Sequence, residues 1–314
     1  MAETEYVVET RGLTKRFGSR TVVRDVDLQV PRGVAFGYLG PNGAGKTTLI
    51  RMLLGLTRPH GGTMTLRGLP VPQRRAEALS RVGAIVDEPR FHGHLTGIEN
   101  LRIVAAARGR ETFARIPASL ERVGLLHRAD DRVKTYSMGM RQRLGIARCL
   151  MADPELLILD EPMNGLDPAG ILDFRNLIRE LVDEGRTVLL SSHLLDEVEK
   201  TCDVVAIVDE GKIVAQGSIH EIVRGGPRAI DIVASDAVDA ARLLAAVPGV
   251  LRATDHEGGL RVTLSPEAPV DREIVTALLR RLLEHGVDVE RVAPVQASLE
   301  DRFLTMTTRL EDRS

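Results

Sequence analysis

The sequence has no tryptophan, few aromatic residues and only two cysteines. Aromatic residues make up 3% of its 314 residues, which disfavours the aromatic stacking platforms that bind single-stranded nucleic acids. The formal net charge of -2 gives no support to a basic binding surface, so no nucleic-acid partner is predicted. Cys149 and Cys202 lie in apolar helical patterns without metal-ligand spacing, so both are predicted to be buried free thiols in a reducing compartment.

Long hydrophobic runs are also missing. No apolar stretch approaches the roughly 18 residues needed to span a bilayer, and the acidic first ten residues lack the apolar core of a signal peptide. With 43% hydrophobic and 27% charged residues, the composition predicts a soluble protein with one large and one smaller domain. Any action at a membrane would therefore need a second chain to supply the spanning segments.

Short apolar runs alternate with helical patterns from residue 5 to about 220. This alternation predicts an α/β fold with a largely parallel sheet. A helix is predicted over 95–109, where Thr96 and Glu99 form a capping-box pattern. The predicted strands, with the last one as a hairpin arm, are 34–39, 156–159, 187–191, 204–208 and 211–218.

The composition changes at GGPR, residues 225–228, and a linker is predicted there. It separates a first domain, 1–224, from a C-terminal domain, 228–314. The order of elements in the second domain is βαββαβ, which predicts a small ferredoxin-like α+β domain. It carries no recognisable chemical constellation, so its role as a dimer clasp or a ligand sensor stays open. Its predicted elements are strands 229–234, 250–255, 259–264 and 287–293, helices 237–247 and 271–285, and a last helix starting at Ser298.

The segment GPNGAGKTT follows a predicted strand, opens a helix and fits the phosphate-loop pattern GxxxxGK[ST]. Glycines let such a loop curl so that backbone N–H groups wrap a phosphate chain at the helix N-terminus. Lys46 is predicted to reach the β- and γ-phosphates, and the Thr47 hydroxyl to ligate Mg²⁺. The strand–loop–helix context disfavours a purely structural loop. The predicted nucleotide-binding residues here are Gly40, Pro41, Asn42, Gly43, Ala44, Gly45, Lys46, Thr47 and Thr48.

Further candidate residues stand at the ends of predicted strands. Asp160 and Glu161 end the run LLILDEP, at the sheet edge where parallel α/β proteins bind ligands. Asp160 is predicted to hold Mg²⁺ through water and Glu161 to act as general base; two solvated acids are the alternative. His193 is predicted to contact the γ-phosphate, although a lone histidine is more often structural. Phe17 is predicted to stack on adenine, with a core aromatic as the alternative.

These motifs, in this order, resemble the nucleotide-binding subunit of ABC transporters over residues 5 to about 220. The matching segments are the phosphate loop, YSMGMRQ, LLILDEP, NGLD and SSH. The resemblance implies a P-loop ABC-type ATPase fold with a helical subdomain at about 90–152. It also implies ATP and Mg²⁺ as cofactors and assembly as a head-to-tail homodimer.

In that family, the segment corresponding to YSMGMRQ caps the γ-phosphate of ATP bound to the other subunit. The resemblance therefore implies that Ser137 and Gly139 complete a nucleotide site in trans and that Asp167 lies at the dimer interface. Local sequence alone also fits an ordinary capped helix start at Ser137 and a surface turn at Asp167.

The sequence departs from the commonest family pattern in two places. Met138 and Met140 replace a glycine and a glutamine of the signature, a variant that resembles bacitracin-resistance type exporter ATPases. The C-terminal domain, with its late segment SLEDRF, resembles the extension on daunorubicin-resistance type ATPases. Asp87 replaces a glutamine that contacts Mg²⁺ and the attacking water, which implies a catalytic and metal-binding role but adds negative charge beside the phosphates. The following loop, 88–94 with Phe91, is where the family docks its membrane subunit; a solvated loop is the alternative.

The resemblance implies an ATP-hydrolysing motor subunit of an exporter. It would drive a separate integral membrane permease from the cytoplasmic face of the membrane and export a drug, an antibiotic or another hydrophobic compound. The alternative is a soluble ABC-type ATPase acting on nucleic acid or ribosomes. Such relatives usually carry two cassettes, coiled-coil insertions or zinc sites, and because this sequence shows none of these patterns the exporter is favoured.

Overall fold

The computed structural model divides the chain into two units, Met1–Ile219 and His220–Ser314. The division falls shortly before the linker predicted at 225–228, which lies outside the described residues. The structure describes residues 5–224, 229–235, 237–256, 259–265, 272–295 and 298–311.

The first unit begins with two long strands and then alternates between strands and helices. Its strands are β1 (Tyr6–Phe17), β2 (Arg20–Pro31), β3 (Ala35–Leu39), β4 (Gly61–Leu66), β5 (Leu69–Pro70), β6 (Val82–Ile85), β7 (Leu156–Asp160), β8 (Thr187–Ser192), β9 (Val204–Asp209) and β10 (Lys212–Ser218). Its helices are α1 (Lys46–Leu53), α2 (Arg75–Ala78), α3 (Gly97–Arg108), α4 (Arg110–Ala114), α5 (Ile116–Arg122), α6 (Met138–Leu150), α7 (Pro168–Asp183) and α8 (Leu195–Thr201). Helix α9 (Ile219–Arg224) begins at the last residue of this unit.

A six-stranded sheet forms the centre of the first unit, in the order β10-β9-β3-β8-β7-β6. The strands from β9 to β6 are parallel, and β10 runs antiparallel to β9. Strands β3, β7 and β8 are buried along their whole length, because helices pack against the sheet, and this explains their continuous apolar sequences. The predicted α/β fold with a largely parallel sheet is therefore confirmed.

A second, antiparallel sheet in the order β2-β1-β4-β5 was not predicted from the sequence. Its inward side chains include Val8, Leu13, Val26 and Leu28, all fully buried. The pairing of β1 with β2 contains several register shifts. Each such irregularity changes the face to which the following side chains point. The simple alternation that marks a half-buried strand is therefore interrupted in the sequence.

Helices α3 to α6 lie in the segment predicted as a helical subdomain. At the start of α3, Thr96 Oγ1 accepts a hydrogen bond from Glu99 N at 3.2 Å, and Glu99 Oε2 accepts one from Thr96 N at 2.7 Å. These two bonds form the predicted capping box. The bond from the Thr96 backbone is the main reason that the pKa of Glu99 is lowered.

The second unit has the βαββαβ order predicted from the sequence. Its elements are β11 (Ala229–Ala234), α10 (Ala237–Leu244), β12 (Val250–His256), β13 (Gly259–Leu264), α11 (Arg272–Leu283), β14 (Val289–Val295) and α12 (Leu299–Glu311). The sheet is antiparallel, in the order β12-β13-β11-β14, and α10 and α11 bury its apolar face around Ile230, Ile232, Val262, Leu244 and Leu278. Among the described residues, no helix combines the length and hydropathy needed to cross a membrane.

Candidate nucleotide site

The phosphate loop connects β3 to α1, where the sequence predicts it. Gly43 and Gly45 have φ values of 86° and 97°, which glycine adopts without the strain of a side chain. A Cβ on Gly45 would lie 2.6 Å from the carbonyl oxygen of Val22. The loop thus passes so close to the neighbouring backbone that this position accepts only glycine.

A cavity of about 230 Å³ opens at this loop. It brings together the phosphate loop, the start of α1 and the second carboxylate of LLILDEP. Within the loop, Gly40 and Ala44 are buried and Pro41 is exposed. The residues that line the cavity are Val22, Asn42, Gly43, Gly45, Lys46, Thr47, Thr48 and Glu161.

Lys46 is buried, with 6% of its surface exposed, and its ammonium group contacts three oxygens. Nζ donates to the carbonyl oxygens of Gly40 at 2.5 Å and Pro41 at 3.1 Å. It also lies 3.1 Å from Glu161 Oε1. A buried charge needs such partners, and phosphate oxygens entering the cavity would offer the same chemistry to this ammonium group.

Ser191 links the Asp160 carboxylate to the backbone of Glu161, a contact that sequence reasoning missed. Its hydroxyl donates to Asp160 Oδ1 at 2.6 Å and accepts a hydrogen bond from Glu161 N at 3.0 Å. Strands β7 and β8 pair in parallel with Asp160 opposite Ser191, and both residues are buried. The signal was present in the segment SSH, which ends a strand that neighbours LLILD, but only its histidine was considered.

Glu161 lies between the two groups predicted to contact phosphate. Its φ of 47° is in the left-handed region, which is uncommon for a residue with a side chain and clusters at functional sites. One carboxylate oxygen contacts Lys46, and the other lies 3.0 Å from His193 Nδ1. The structure therefore places His193 against the predicted base, and its contact with the γ-phosphate stays a prediction.

Replacing Ser191 with alanine is expected to lower both stability and ATPase activity. The change leaves the buried Asp160 carboxylate without a donor and Glu161 N without an acceptor, at a cost of about 1–3 kcal/mol in the free energy of unfolding. Urea unfolding and kcat measure the two effects. Thr187→Val is the control, because its buried hydroxyl accepts from Gly33 N at 2.9 Å at the other end of β8. Equal kcat values for the two variants would contradict the role of Ser191.

Asp87 lies two residues beyond β6, with a φ of 56°. Its Oδ2 is 2.7 Å from Arg51 Nη2 on α1, and both side chains are about half exposed. It does not belong to the lining of the phosphate-loop cavity. Its predicted contacts with Mg²⁺ and the attacking water therefore stay predictions.

Phe17 ends β1 and is 53% exposed. The Nζ atom of Lys15 lies 5.0 Å from the centre of its ring, a distance typical of a cation–π contact. The alternative of a core aromatic is therefore wrong. Stacking on adenine stays a prediction for this exposed ring.

Ser137, Gly139 and Asp167 line one cavity of about 430 Å³. Ser137 caps α6 by accepting a hydrogen bond from Met140 N at 3.2 Å, and Asp167 caps α7 by accepting one from Gly170 N at 3.0 Å. The N-terminal ends of two helices therefore meet at the same opening, where their dipoles favour an anion.

Met138, which replaces the first glycine of the common signature, packs against the backbone of the segment NGLD. A Cβ on Gly165 would collide with its sulfur atom. The glycine of NGLD therefore makes room for the methionine, and this contact joins the start of α6 to the turn before α7.

A buried amide binds the backbone of the loop after Asp87. Asn100 is 4% exposed; its Oδ1 accepts from His92 N at 2.8 Å, and its Nδ2 donates to the carbonyl oxygens of His92 at 3.1 Å and Thr96 at 2.9 Å. Arg148 lies over the ring of Phe91 at 5.2 Å. These contacts give the loop a defined shape, while alternate side chains of 88–94 stay exposed. Docking of the membrane subunit stays a prediction.

Both cysteines are buried free thiols, as predicted. Burial raises the pKa of Cys149 to about 11 and also raises that of Cys202. Cys149 packs against Gly83 of β6, where a Cβ would lie 2.6 Å from the Cys149 Cβ. Neither thiol is therefore poised to act as a nucleophile near neutral pH.

The parallel sheet, the glycine-rich loop before α1 and the carboxylates at the end of β7 define a P-loop nucleoside triphosphatase. The sequence model of the ABC transporter family matches residues 23–164. The chain is 40% identical to the uncharacterized ABC transporter ATP-binding protein YdbJ of Bacillus subtilis, over 97% of this chain and 96% of the relative. It is 39% identical to the bacitracin transport ATP-binding protein BcrA of Enterococcus faecalis, over 95% and 96% of the two chains.

A Nod factor export ATP-binding protein of Cupriavidus pinatubonensis is 38% identical over 96% of this chain and 91% of the relative. Among solved structures, an ATP-binding subunit of an ABC transporter shares 31% identity, covering 69% of this chain and 92% of the other, with a TM-score of 0.62. CbiO1 from Clostridium perfringens, part of the transporter complex CbiONQ, shares 26% identity, covering 70% and 91%, with a TM-score of 0.65.

The chain therefore belongs to the ATP-binding subunits of ABC transporters. It hydrolyses ATP as the motor subunit of a transporter and works with membrane permease components. This confirms the assignment made from the sequence, including its likeness to bacitracin-type relatives. The relatives do not support the alternative of a soluble ATPase acting on nucleic acid or ribosomes.

Proposed function

We propose that this chain works as a head-to-tail homodimer on the cytoplasmic face of the cell membrane and drives export through a separate permease. The observation that carries the proposal is the presence of two incomplete half-sites on one chain. The phosphate-loop cavity holds Lys46 and Glu161, and the second cavity holds Ser137, Gly139 and Asp167. Two copies in opposite orientation would join each half-site to its complement and enclose two ATP molecules.

The residues present fit Mg²⁺ bound together with ATP. Thr47 offers a hydroxyl and Asp160 a carboxylate, and Mg²⁺ prefers such hard oxygen donors. Among the described residues, no cluster of three or more His, Cys, Asp or Glu side chains is arranged to hold a metal alone. Nucleotide phosphates would therefore supply the remaining ligands, as is usual for Mg²⁺ in ATPases. When bound, the ion neutralises charge on the phosphates.

The side chains of the site have separate roles in hydrolysis. Lys46 stabilises negative charge on the γ-phosphate, and Glu161 accepts a proton from the attacking water. His193, 3.0 Å from Glu161, orients that carboxylate and completes the contacts to the γ-phosphate. Asp87 would contact Mg²⁺ and the attacking water, and the exposed ring of Phe17 would stack on the adenine.

ATP binding is coupled to movement of the permease. The dimer closes around two ATP molecules and reopens after hydrolysis, a ligand-driven shift between two states. The loop 88–94, fixed by Asn100, docks the permease. The cargo is a drug, an antibiotic or another hydrophobic compound. The relatives that transport bacitracin and export Nod factor support export of this kind.

A pull-down of the tagged protein from its native cells in mild detergent tests the transporter assembly. Mass spectrometry should find a polytopic membrane protein in roughly stoichiometric amount. A soluble, ribosomal or nucleic-acid partner without a membrane protein would contradict the proposal. The recovered permease, reconstituted with the ATPase, then allows candidate cargoes to be tested for ATP-dependent transport.

Replacing Gly139 with aspartate is expected to prevent ATP-driven dimerisation while sparing ATP binding by the monomer. The added carboxylate would face the γ-phosphate of the opposite subunit at a helix N-terminus built for an anion. Gly139→Ala is the matched control, because its Cβ would lie 3.6 Å from Leu166 Cδ2, an ordinary contact. Light scattering with ATP measures dimerisation, preferably in a variant that does not hydrolyse ATP. Normal dimerisation of the Gly139→Asp variant would contradict the role in trans and would favour an ordinary capped helix start for YSMGMRQ.

A further inference from the structure

Arg51 and Asp87 form an ion pair that joins the last turn of α1 to the chain after β6. The proposed mechanism gives this pair no role. Arg51 Nη2 lies 2.7 Å from Asp87 Oδ2. Arg51 is on α1, the helix that begins with Lys46. The cation that contacts Asp87 is therefore carried by the same helix that opens the nucleotide site.

The position of Asp87 places an additional negative charge at the nucleotide-binding edge of the sheet. Strands β6 and β7 are parallel, with Ile85 opposite Leu159. Asp87 and Glu161 each follow that pair by two residues, so both leave the sheet at the same edge. A carboxylate in this place repels ATP phosphates unless a cation compensates it, whereas the glutamine common in the family is neutral.

Three carboxylates at this edge each contact a different partner. Glu161 contacts Lys46, Asp160 accepts from the Ser191 hydroxyl, and Asp87 contacts Arg51. Half-exposed ion pairs of this kind contribute little to the stability of a fold. The pair is therefore expected to affect the binding of an anionic ligand more than the free energy of unfolding.

We propose that Arg51 is a positioning residue that holds Asp87 and neutralises it, so that a carboxylate can replace the glutamine beside the triphosphate. This inference rests on the proposed nucleotide site. It assigns Arg51 no direct contact with ATP, because it acts through Asp87. The two residues act as a unit in ATP binding. If the charge of Asp87 is removed, Arg51 is no longer needed for ATP affinity.

The test is a double-mutant cycle on the affinity for the fluorescent analogue MANT-ATP with Mg²⁺, measured in the full chain without permease. Arg51→Gln is expected to weaken binding about fivefold, because an uncompensated carboxylate faces the phosphates. The same change in an Asp87→Gln background should have little effect. Arg51→Lys should retain most of the affinity. The Arg51→Gln defect should shrink as the salt concentration rises, because salt screens the repulsion.

An equal loss from Arg51→Gln in both backgrounds would overturn the inference, since Arg51 would then act independently of Asp87. Unchanged affinity in the Arg51→Gln variant would overturn it as well. Arg74→Gln is the matched control, because Arg74 is a half-exposed arginine paired with Glu77, and its removal should leave affinity unchanged. Thermal unfolding checks that the variants fold. Failure of the proposed transporter role would appear in the permease pull-down, which these binding measurements do not involve.

Discussion

Replacing Glu161 with glutamine is expected to stop hydrolysis while ATP stays bound. Glutamine keeps the size of the side chain, and its amide oxygen can still accept from Lys46, which lies 3.1 Å from Glu161 Oε1. It cannot take a proton from water, so kcat should fall about 10²–10⁴-fold, the usual contribution of a general base. Phosphate release measures the rate, and size-exclusion chromatography with ATP should show a trapped dimer.

The control for this change is Glu184→Gln, which removes a carboxylate that contacts Arg122 and Arg186. Its turnover should match that of the unmodified protein. If the Glu161→Gln variant also turned over normally, another group would have to be the base. If it lost ATP affinity instead, Glu161 would be required for binding, and the assignment of catalysis to this carboxylate would be wrong.

Replacing Lys46 with alanine is expected to abolish ATP binding at ordinary concentrations. A charge-assisted hydrogen bond to phosphate contributes about 1.5–3 kcal/mol, equivalent to roughly 10–150-fold in affinity. The change also leaves the Glu161 carboxylate without its cation, so repulsion between this carboxylate and the phosphates adds to the loss. Titration with a fluorescent ATP analogue measures the affinity.

Lys200→Ala is the matched control for Lys46→Ala. Lys200 is half exposed and pairs with Asp196 at 2.9 Å on α8, so its loss removes one cation outside the nucleotide site. Near-normal affinity in Lys46→Ala would contradict the assignment of the phosphate loop. Because Lys46 is buried, thermal unfolding with and without ATP distinguishes loss of the ligand from loss of the fold.

The parts of this site that could be predicted from the sequence are those whose functional groups lie in a few consecutive residues. The phosphate loop needs glycines and a lysine within one short continuous segment. The sequence LLILD is typical of a buried strand that ends in a carboxylate. The strands β1 and β2 were not predicted, because their register shifts interrupt the alternation of polar and apolar residues. Local pattern was therefore sufficient for the chemical motifs but not for the antiparallel sheet.

Contacts between residues distant in the chain could not be read from the sequence. Asp87 was recognised as a departure from the family pattern, but its partner Arg51 lies 36 residues away. The same holds for Ser191, which reaches Asp160 across 31 residues and only because β7 and β8 are neighbours. In both pairs, strand order and helix placement decide which groups meet, and that information is spread over the whole domain.

The backbone conformation of the loop after Asp87 depends mainly on hydrogen bonds to its backbone, and not on its exposed side chains. Asn100 in α3 binds its backbone, and Leu95 and Gly93 accept hydrogen bonds from the backbone of Val133 and Lys134 at 2.9 Å. The exposed side chains of this loop can therefore be exchanged without altering its path. In the proposed transporter, the specificity for a permease could therefore change through substitutions of these exposed side chains. The backbone conformation that transmits movement to the permease would stay the same.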